Sequence, residues 1–309
     1  MDWFFGLQAA VDYIETHLTE KIDYDILAKT ACFSKYHFQR LFGAVYGVSV
    51  GEYIRKRRLT LAGKELAVSG TVLSAALKYG YETPESFSRA FYKFHGILPS
   101  AAKKGGALKC FPRLTTEKPA AGKNIGENTM DYEIKEIEKR VFVGYKKRFS
   151  GVPYGEERAR QEEQFITSTR AKQWLLLGAS CDSTTDYCIV NNIGDDGYDF
   201  YIAYELDEWT RKEMFNPAVT GVDFMDKLGF ETIVVPKQTY AVFRTERQRR
   251  PIGEYIDIRK RIMTEWLPAA DFTLTDGAEV VALKWRPDDA LDKKNEKYVE
   301  IQLPVVKNR

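Results

Sequence analysis

The sequence is poor in the residues on which many enzymes and metalloproteins depend. Its three histidines (His17, His37 and His95) all lie in the first third of the chain, and its four cysteines are scattered without metal-ligand spacing. No glycine-rich phosphate loop is present either. Without histidine, the rest of the chain cannot assemble a Ser–His or Cys–His nucleophile pair. We therefore expect no enzymatic activity, no catalytic or metal-binding residue, and no cofactor.

Long apolar segments are also lacking. No apolar run reaches the roughly 18 residues that a membrane-spanning helix needs. The N-terminal segment has no basic start and contains Asp2 and Asp12, which is not the pattern of a secretory signal. Scattered cysteines are typical of reduced thiols. We expect a cytoplasmic protein without a membrane partner, and its 309 residues are enough for two domains.

Neither positive nor negative charge is in large excess, but the two are unevenly distributed along the chain. The net charge is only +2. Residues 1–105 carry +4, residues 106–129 carry +2, and residues 130–309 carry −4. This asymmetry is typical of a phosphate-binding module joined to a module of another kind.

The strongest pattern that is present is a repeat near the N-terminus. The segment FSKYHFQRLFGAVYG (33–47) recurs 49 residues later as ETPESFSRAFYKFHG (82–96). In both copies apolar residues at i, i+3, i+4 and i+7 share one helix face, and an arginine lies on the opposite polar face. A short apolar helix pattern and a turn, at Ala31-Cys32 and at Gly80-Tyr81, precede each copy. The pattern predicts two helix-turn-helix units that read successive major grooves of DNA. Two helical hairpins with solvated outer faces are the alternative.

A helical strut is predicted between the two copies. The segment VSVGEYIRKRRLTLAGKELA (48–67) places its apolar residues near one broad face. Successive major grooves lie about 34 Å apart, so a stiff strut would set the register of the two reading helices. Arg55 is a candidate phosphate contact, as are the neighbouring Lys56, Arg57 and Arg58. A solvated basic face is the alternative for each of them.

The chain changes character after this helical part. Residues 106–129 are rich in Gly, Pro, Lys and Thr and predict a linker, part of which packs on a neighbour. From residue 130 the patterns alternate as strand, helix, strand, strand, and then the same again. RVFVGYKKRF (140–149) and QTYAVFRTER (238–247) occupy corresponding places. We predict a duplicated βαββ unit, an α+β domain with an antiparallel sheet and a cleft between its halves.

The first hundred residues resemble the AraC/XylS family of transcription regulators, and within it the Rob type. FSKYHFQRLF, GEYIRKRRL and YGYETPESFSRAFYKFHGILPS carry this resemblance. It implies an all-α DNA-binding domain of about seven helices at 1–105, which binds double-stranded DNA as a monomer at an asymmetric site and contacts RNA polymerase. The residues that it places toward DNA are Lys35, Tyr36, Gln39 and Arg40 on the first reading helix, and Glu85, Ser88 and Arg89 on the second.

Residues 130–309 resemble a GyrI-like effector-binding domain. TYAVFR (239–244), EWLPAADFTLTDGAEV (265–280) and YVEIQLPV (298–305) carry this resemblance. It implies a cleft in which Glu279 meets a cationic or aromatic drug-like or metabolite ligand, with Tyr298 on the cleft wall. Further candidate rings are Tyr145, Trp174 and Tyr204. The family usually has Tyr two residues after the glutamate, where this chain has Val281.

The physical basis of that expectation is the cost of a buried carboxylate. Burying it among rings costs several kcal/mol unless it is neutralised, and a ligand cation restores the charge balance. Each ring face adds about 0.5–2 kcal/mol of cation–π attraction. The alternative for Glu279 is an edge-strand carboxylate in solvent. Two other functions stay open: a hydrolase of small electrophiles, which a second carboxylate beside Glu279 would favour, or a domain that binds a protein partner.

Overall fold

A computed structural model describes residues 3–116, 130–154, 156–180, 182, 184–247, 252–267, 270–284 and 297–307. The chain divides into two compact units, an N-terminal helical one and a C-terminal α+β one. Both predicted fold classes are confirmed. No helix in the described ranges is long and apolar enough to cross a membrane.

The helical unit contains seven helices within the residues that the structure describes. They are α1 (Trp3–Thr16), α2 (Tyr24–Thr30), α3 (Lys35–Tyr46), α4 (Val50–Val68), α5 (Val72–Lys78), α6 (Pro84–His95) and α7 (Pro99–Ala102). Local sequence explains several of their ends. The hydroxyls of Ser49, Thr71 and Thr83 each accept a hydrogen bond from a backbone N–H in the first turn of α4, α5 and α6. Such caps satisfy N–H groups that have no partner inside the helix.

The repeat predicted from sequence forms the core of the helical unit. Phe38, Leu41 and Phe42 of α3 are fully buried, as are Phe87 and Phe91 of α6. Burial of each such side chain contributes about 1.5–3 kcal/mol. The 3.6-residue spacing therefore marked the inward faces of both helices correctly.

The turns of the two helix-turn-helix units have the same backbone geometry. Cys32 after α2 and Gly80 after α5 both adopt left-handed conformations, with φ of 61° and 79°. In both turns the next N–H donates back into the preceding helix at 2.9 Å, from Phe33 to Ala28 O and from Tyr81 to Ala76 O. Cys32 is thus the structural equivalent of Gly80. A constant 49-residue repeat would have aligned Gly80 with Ala31 instead.

The start of the predicted linker packs on the helical unit. The Lys109 N–H donates to His95 Nδ1 at 3.1 Å, and the Phe111 N–H donates to Thr60 Oγ1 at 3.0 Å. Segment 106–116 is therefore held by the helices. The linker and the boundaries at 105 and 130 stay predictions, since residues 117–129 lie outside the described ranges.

The α+β unit is built on one antiparallel sheet. Its strands are β1 (Tyr132–Ile137), β2 (Arg140–Phe149), β3 (Thr185–Gly194), β4 (Gly197–Glu205), β5 (Glu231–Val235), β6 (Gln238–Arg244), β7 (Phe272–Leu274), β8 (Glu279–Lys284) and β9 (Tyr298–Lys307). The strand order is β1-β6-β9-β8-β3-β4-β2-β5, with β7 added beside β9.

This order confirms the predicted duplication. Exchanging β1 with β5, β2 with β6, β3 with β8 and β4 with β9 reproduces the same order from the other end of the sheet. The two halves meet where β3 pairs with β8. The first strand of the predicted order is wrong in one detail, because it is two strands. β1 pairs with β6, and β2 pairs with β5.

Helices cover one face of the sheet. They are α8 (Glu156–Ser168), α9 (Arg170–Ala179), α10 (Glu208–Glu213), α11 (Pro217–Thr220), α12 (Phe224–Leu228) and α13 (Ile252–Arg261), which continues as a π-helical turn at Ile262–Trp266. Phe165 of α8 and Leu176 of α9 join Phe149 and Phe200 of the sheet in one buried cluster. The Trp266 ring packs on Phe243 of β6, with 4.9 Å between the centroids. By symmetry of the halves, α8 and α13 lie at equivalent places above the sheet.

Candidate functional site

The outer face of α6 is open to solvent. Glu85 and Arg89 are exposed and Ser88 is half-buried. Tyr92 continues the same face at i+7 from Glu85, and it is 56% exposed. Sequence analysis missed Tyr92, although its spacing from the three predicted residues was the signal that could have found it. The guanidinium, hydroxyl and phenol on this face can donate to base edges or phosphates, whereas the carboxylate can only accept, as from cytosine N4.

The corresponding face of α3 differs from the prediction at one residue. Lys35 is exposed, and Tyr36 and Gln39 are half-buried. Arg40, however, is only 1% exposed. Its Nη1 donates to Tyr36 Oη at 2.8 Å, and its guanidinium carbon lies 5.4 Å from the centre of the Tyr36 ring. The expectation that Arg40 stands free on the reading face is wrong in this conformation, because the guanidinium turns back along the helix onto Tyr36.

Only one of the four strut cations keeps an exposed position. Arg55 is exposed and borders a pocket of about 350 Å³, together with Lys21 and Arg58. Lys56 pairs with Glu52 at 2.7 Å. The Arg57 guanidinium pairs with Glu15 at 2.8 Å, which together with Coulomb attraction raises the pKa of Arg57. Arg55 therefore remains the phosphate candidate in α4.

Arg58 has a structural role instead. Its Nε donates to Leu18 O at 2.7 Å and its Nη2 donates to Glu20 O at 2.5 Å. Burial lowers the pKa of Arg58. These bonds fix the loop between α1 and α2 against α4.

In the α+β unit, Glu279 lies at the start of β8 near the centre of the sheet. It is 0% exposed and sits opposite Val190 of β3, so it is not the solvated edge-strand carboxylate of the alternative interpretation. The Nη1 of Arg259, from α13, forms an ion pair with Glu279 Oε1. Arg259 is itself 4% exposed. A cation from the chain therefore neutralises the carboxylate, which corrects the expectation that a ligand cation is needed for this purpose.

A second buried arginine lies at the equivalent helix of the other half. Arg158 of α8 is 5% exposed, and its Nε donates to Glu162 Oε2 at 3.2 Å. Its guanidinium carbon is 5.7 Å from the Tyr255 ring centre, and that of Arg259 is 5.4 Å from the same ring. Burial raises the pKa of Tyr255 to about 12, so its phenol is neutral at physiological pH.

The predicted aromatic ligand residues do not assemble around Glu279. Tyr145 and Tyr204 are core residues, 2% and 1% exposed, whose hydroxyls donate to Thr169 Oγ1 at 3.1 Å and Asp186 Oδ1 at 2.8 Å. Burial raises the pKa of Tyr145 to about 12. Aromatic content alone could not separate such core rings from cleft rings.

The other two predicted rings also lie elsewhere. Trp174 points outward from α9 and is 67% exposed, which is incompatible with lining a buried site. Tyr298 is half-buried, and the Arg247 guanidinium carbon lies 4.6 Å from its ring centre. The rings that do surround the two buried arginines are Tyr154, Phe200 and Tyr255.

Sequence analysis missed both arginines. The signal for Arg259 was its spacing, since Tyr255 and Ile262 lie at i−4 and i+3 on the buried face of the same helix. The signal for Arg158 was weaker: the buried Phe165 lies at i+7, two turns further along the same face of α8. Among the described residues, no group of three His, Cys, Asp or Glu side chains is placed to hold a metal ion.

Comparison with known families agrees with this two-part architecture. Residues 27–105 match a helix-turn-helix domain, and residues 130–306 match a GyrI-like small molecule binding domain. The chain belongs to the AraC-type regulators that carry a GyrI-like domain. Both family expectations from the sequence are thereby confirmed.

Individual relatives resemble this AraC-type chain over part of its length. The transcriptional activator AarP of Providencia stuartii is 39% identical over 89 residues, which are 28% of this chain and 66% of AarP, a little under two thirds of that protein. The regulatory protein SoxS of Salmonella typhimurium is 35% identical over 95 residues, which are 30% of this chain and 89% of SoxS. Among solved structures, SAV2435 bound to tetraphenylphosphonium is 13% identical with a TM-score of 0.41, covering 57% of this chain and 94% of that one.

Proposed function

We propose that this chain is a sequence-specific DNA-binding transcription regulator whose α+β unit binds a small-molecule effector. The observation that carries the proposal is the pair of helix-turn-helix units with matched turns. Their second helices, α3 and α6, are both 12 residues long and bury the same apolar face. Two such helices in one unit allow a single chain to occupy two successive major grooves.

The length of α4 supports this arrangement. With 19 residues, α4 spans about 28 Å at 1.5 Å per residue. That length approaches the 34 Å or so between successive major-groove faces. Ion pairs and hydrogen bonds from Arg57 and Arg58 hold α4 against its neighbours, so the spacing of the two reading helices is stiff. We infer an asymmetric site of roughly 20 base pairs for a monomer.

The proposed roles of the DNA-facing residues follow from their exposure. Arg89 reads guanine through two hydrogen bonds, and Ser88 and Glu85 complete the second reading helix. On the first helix, Lys35, Tyr36 and Gln39 face DNA, and Arg40 holds Tyr36 in place. Arg55 contacts phosphate beside the strut.

The test is selection of preferred sequences from random duplex DNA, followed by fluorescence anisotropy with Arg89→Ala. Loss of a bidentate contact should weaken binding to the preferred site roughly 5- to 150-fold, from about 1–3 kcal/mol. Lys212→Ala is the matched control, because it also removes one cation but lies on α10 with its side chain 70% exposed. Equal weakening on preferred and scrambled DNA would reduce Arg89 to a phosphate contact. Nuclease protection confined to one groove would contradict the tandem arrangement.

Two further parts of the proposal concern partners and chemistry. A regulator of this kind alters transcription by contacting RNA polymerase, and effector binding in the α+β unit changes that output. Hydrolysis by Glu279 is the less favoured function, since a carboxylate that already pairs with a guanidinium is a weaker base than a solvated one. Binding of a protein partner in place of a small molecule is the remaining alternative.

A further inference from the structure

Two arginines from equivalent helices converge at the centre of the α+β unit. Arg158 and Arg259 are 5% and 4% exposed, and both guanidinium groups lie beside Tyr255. Charged side chains are seldom buried to this extent unless all their donors have partners. The hydrogen bonds of the two guanidinium groups are therefore informative.

Arg259 uses only part of its hydrogen-bonding capacity. Its Nη1 pairs with Glu279 and donates to Tyr255 Oη at 3.0 Å. Its Nε and Nη2 have no hydrogen-bond partner among the described residues. These two nitrogens form one edge of the planar guanidinium, and their N–H groups point in the same direction. Such an edge can donate two parallel hydrogen bonds to the two oxygens of a carboxylate.

Arg158 adds a further unmatched donor. Its Nε donates to Glu162 and its Nη1 donates to Pro153 O at 3.1 Å, whereas its Nη2 has no partner within the described ranges. The hydroxyl of Tyr198, a residue that is 0% exposed, is also unpartnered there. Burying the Nε and Nη2 of Arg259, the Nη2 of Arg158 and the Tyr198 hydroxyl without an acceptor costs free energy.

The ring faces near these arginines already hold cations. The Arg158 guanidinium carbon lies 5.4 Å from the Phe200 ring centre, and that of Arg259 lies 5.2 Å from the Tyr154 ring centre. The rings and the carboxylate would attract a cationic ligand, but two guanidinium groups already occupy the positions beside them. Such a ligand would therefore be repelled by like charge. A ligand with an anionic acceptor group meets unmatched donors instead.

We propose that the effector is an organic carboxylate with an aromatic body, whose carboxylate binds the Nε–Nη2 edge of Arg259 with support from Arg158 Nη2 and Tyr198 Oη. The inference rests on the proposed function, because it assumes that the α+β unit binds a small molecule. It adds the chemical class of that molecule and the residues that select its charge. The rings nearest to the two guanidinium groups, which the aromatic body would meet, are those of Tyr154, Phe200 and Tyr255.

The test compares three probes that share a naphthalene body and differ in charge, on the full chain: 2-naphthoate, 2-naphthamide and 2-naphthylmethylammonium. Binding is measured by isothermal titration calorimetry at millimolar ligand. We expect 2-naphthoate to bind tightest. Arg259→Lys keeps a charge opposite Glu279 but loses the planar edge, so it should weaken 2-naphthoate roughly tenfold. Arg261→Lys is the control on the same helix, since Arg261 pairs with Glu265 at 2.9 Å on the exposed side.

Each outcome bears on the inference. Circular dichroism shows whether Arg259→Lys folds. If it does not, two variants replace it: Arg158→Lys, and the double variant Arg259→Met/Glu279→Gln, which removes both charges of the pair. The double variant should bind the amide and the carboxylate equally. Tighter binding of the amide or the ammonium probe overturns the oxyanion site but leaves an effector-binding unit. Binding of none of the three overturns the oxyanion site. The proposed effector function is judged separately, by a thermal-shift screen of cationic and uncharged small molecules on the full chain, and DNA binding by anisotropy.

Discussion

Removing the carboxylate of Glu279 should destabilise the α+β unit strongly. Glu279 and Arg259 have side chains 0% and 4% exposed, so water cannot take over the role of a missing partner. Breaking a buried pair by removing one member costs about 3–5 kcal/mol, whereas replacing both members by uncharged groups is often near neutral. We expect Glu279→Gln and Arg259→Met each to lose about 3–5 kcal/mol, and the double variant to lose less than either.

The assay is urea unfolding of the full chain followed by tryptophan fluorescence. Trp266 is 8% exposed in the α+β unit and packs near the end of α13, so its emission reports on the region that contains the pair. Because the chain has two units, the transition of the α+β unit is fitted separately from that of the helical unit.

A matched control separates burial from charge. Glu208→Gln removes a carboxylate that also pairs with a cation four residues away, Lys212, but both side chains are at least 70% exposed. That variant should unfold at nearly the wild-type urea concentration. A loss below about 0.5 kcal/mol for Glu279→Gln, or a double variant whose loss equals the sum of the singles, would refute the buried-pair reasoning.

Two further predictions concern the helical unit. Cys32→Gly should stabilise it by about 0.5–1 kcal/mol in urea unfolding, because the left-handed φ of 61° is strained for any side chain, and Ala31→Gly at ordinary helical φ is the control that should not gain. Burial lowers the pKa of His95 below its ordinary 6.5, and the neutral ring accepts from the Lys109 N–H. The unfolded chain therefore takes up a proton first as the pH falls below 6.5, so wild type should lose more stability between pH 7.5 and about 5.5 than His95→Gln, and equal losses would contradict this role.

The architecture could be predicted because it is encoded in local periodicity. Apolar spacing of 3.6 marked the inward faces of α3 and α6, and the alternating runs after residue 130 marked the strands. The repeat also implied the turn, but not its register. α2 and its turn recur 48 residues later at α5, whereas α3 recurs 49 residues later as α6, because the second loop is one residue longer. A glycine such as Gly80 indicates a left-handed turn residue in the sequence, whereas a cysteine such as Cys32 does not.

The site was harder to predict because burial of a charged residue is a tertiary property. Arg40 and Arg89 occupy equivalent places in the repeat, yet one is 1% exposed and the other is exposed. In IRKR at the end of α13, Arg259 and Arg261 look alike in the sequence. Only the packing of the helix on the sheet turns Arg259 toward Glu279 and Arg261 toward solvent.

The charge that we propose for the ligand depends on helices that the fold class does not fix. The sheet supplies Glu279, and a GyrI-like fold with that carboxylate alone would attract a cation. In this chain α8 and α13 add two guanidinium groups that occupy the neighbouring ring faces, and that of Arg259 also neutralises the carboxylate. Among the described residues, both guanidinium groups keep N–H groups without an acceptor. Ligand class has to be argued from these side chains, since the shared fold leaves it undetermined.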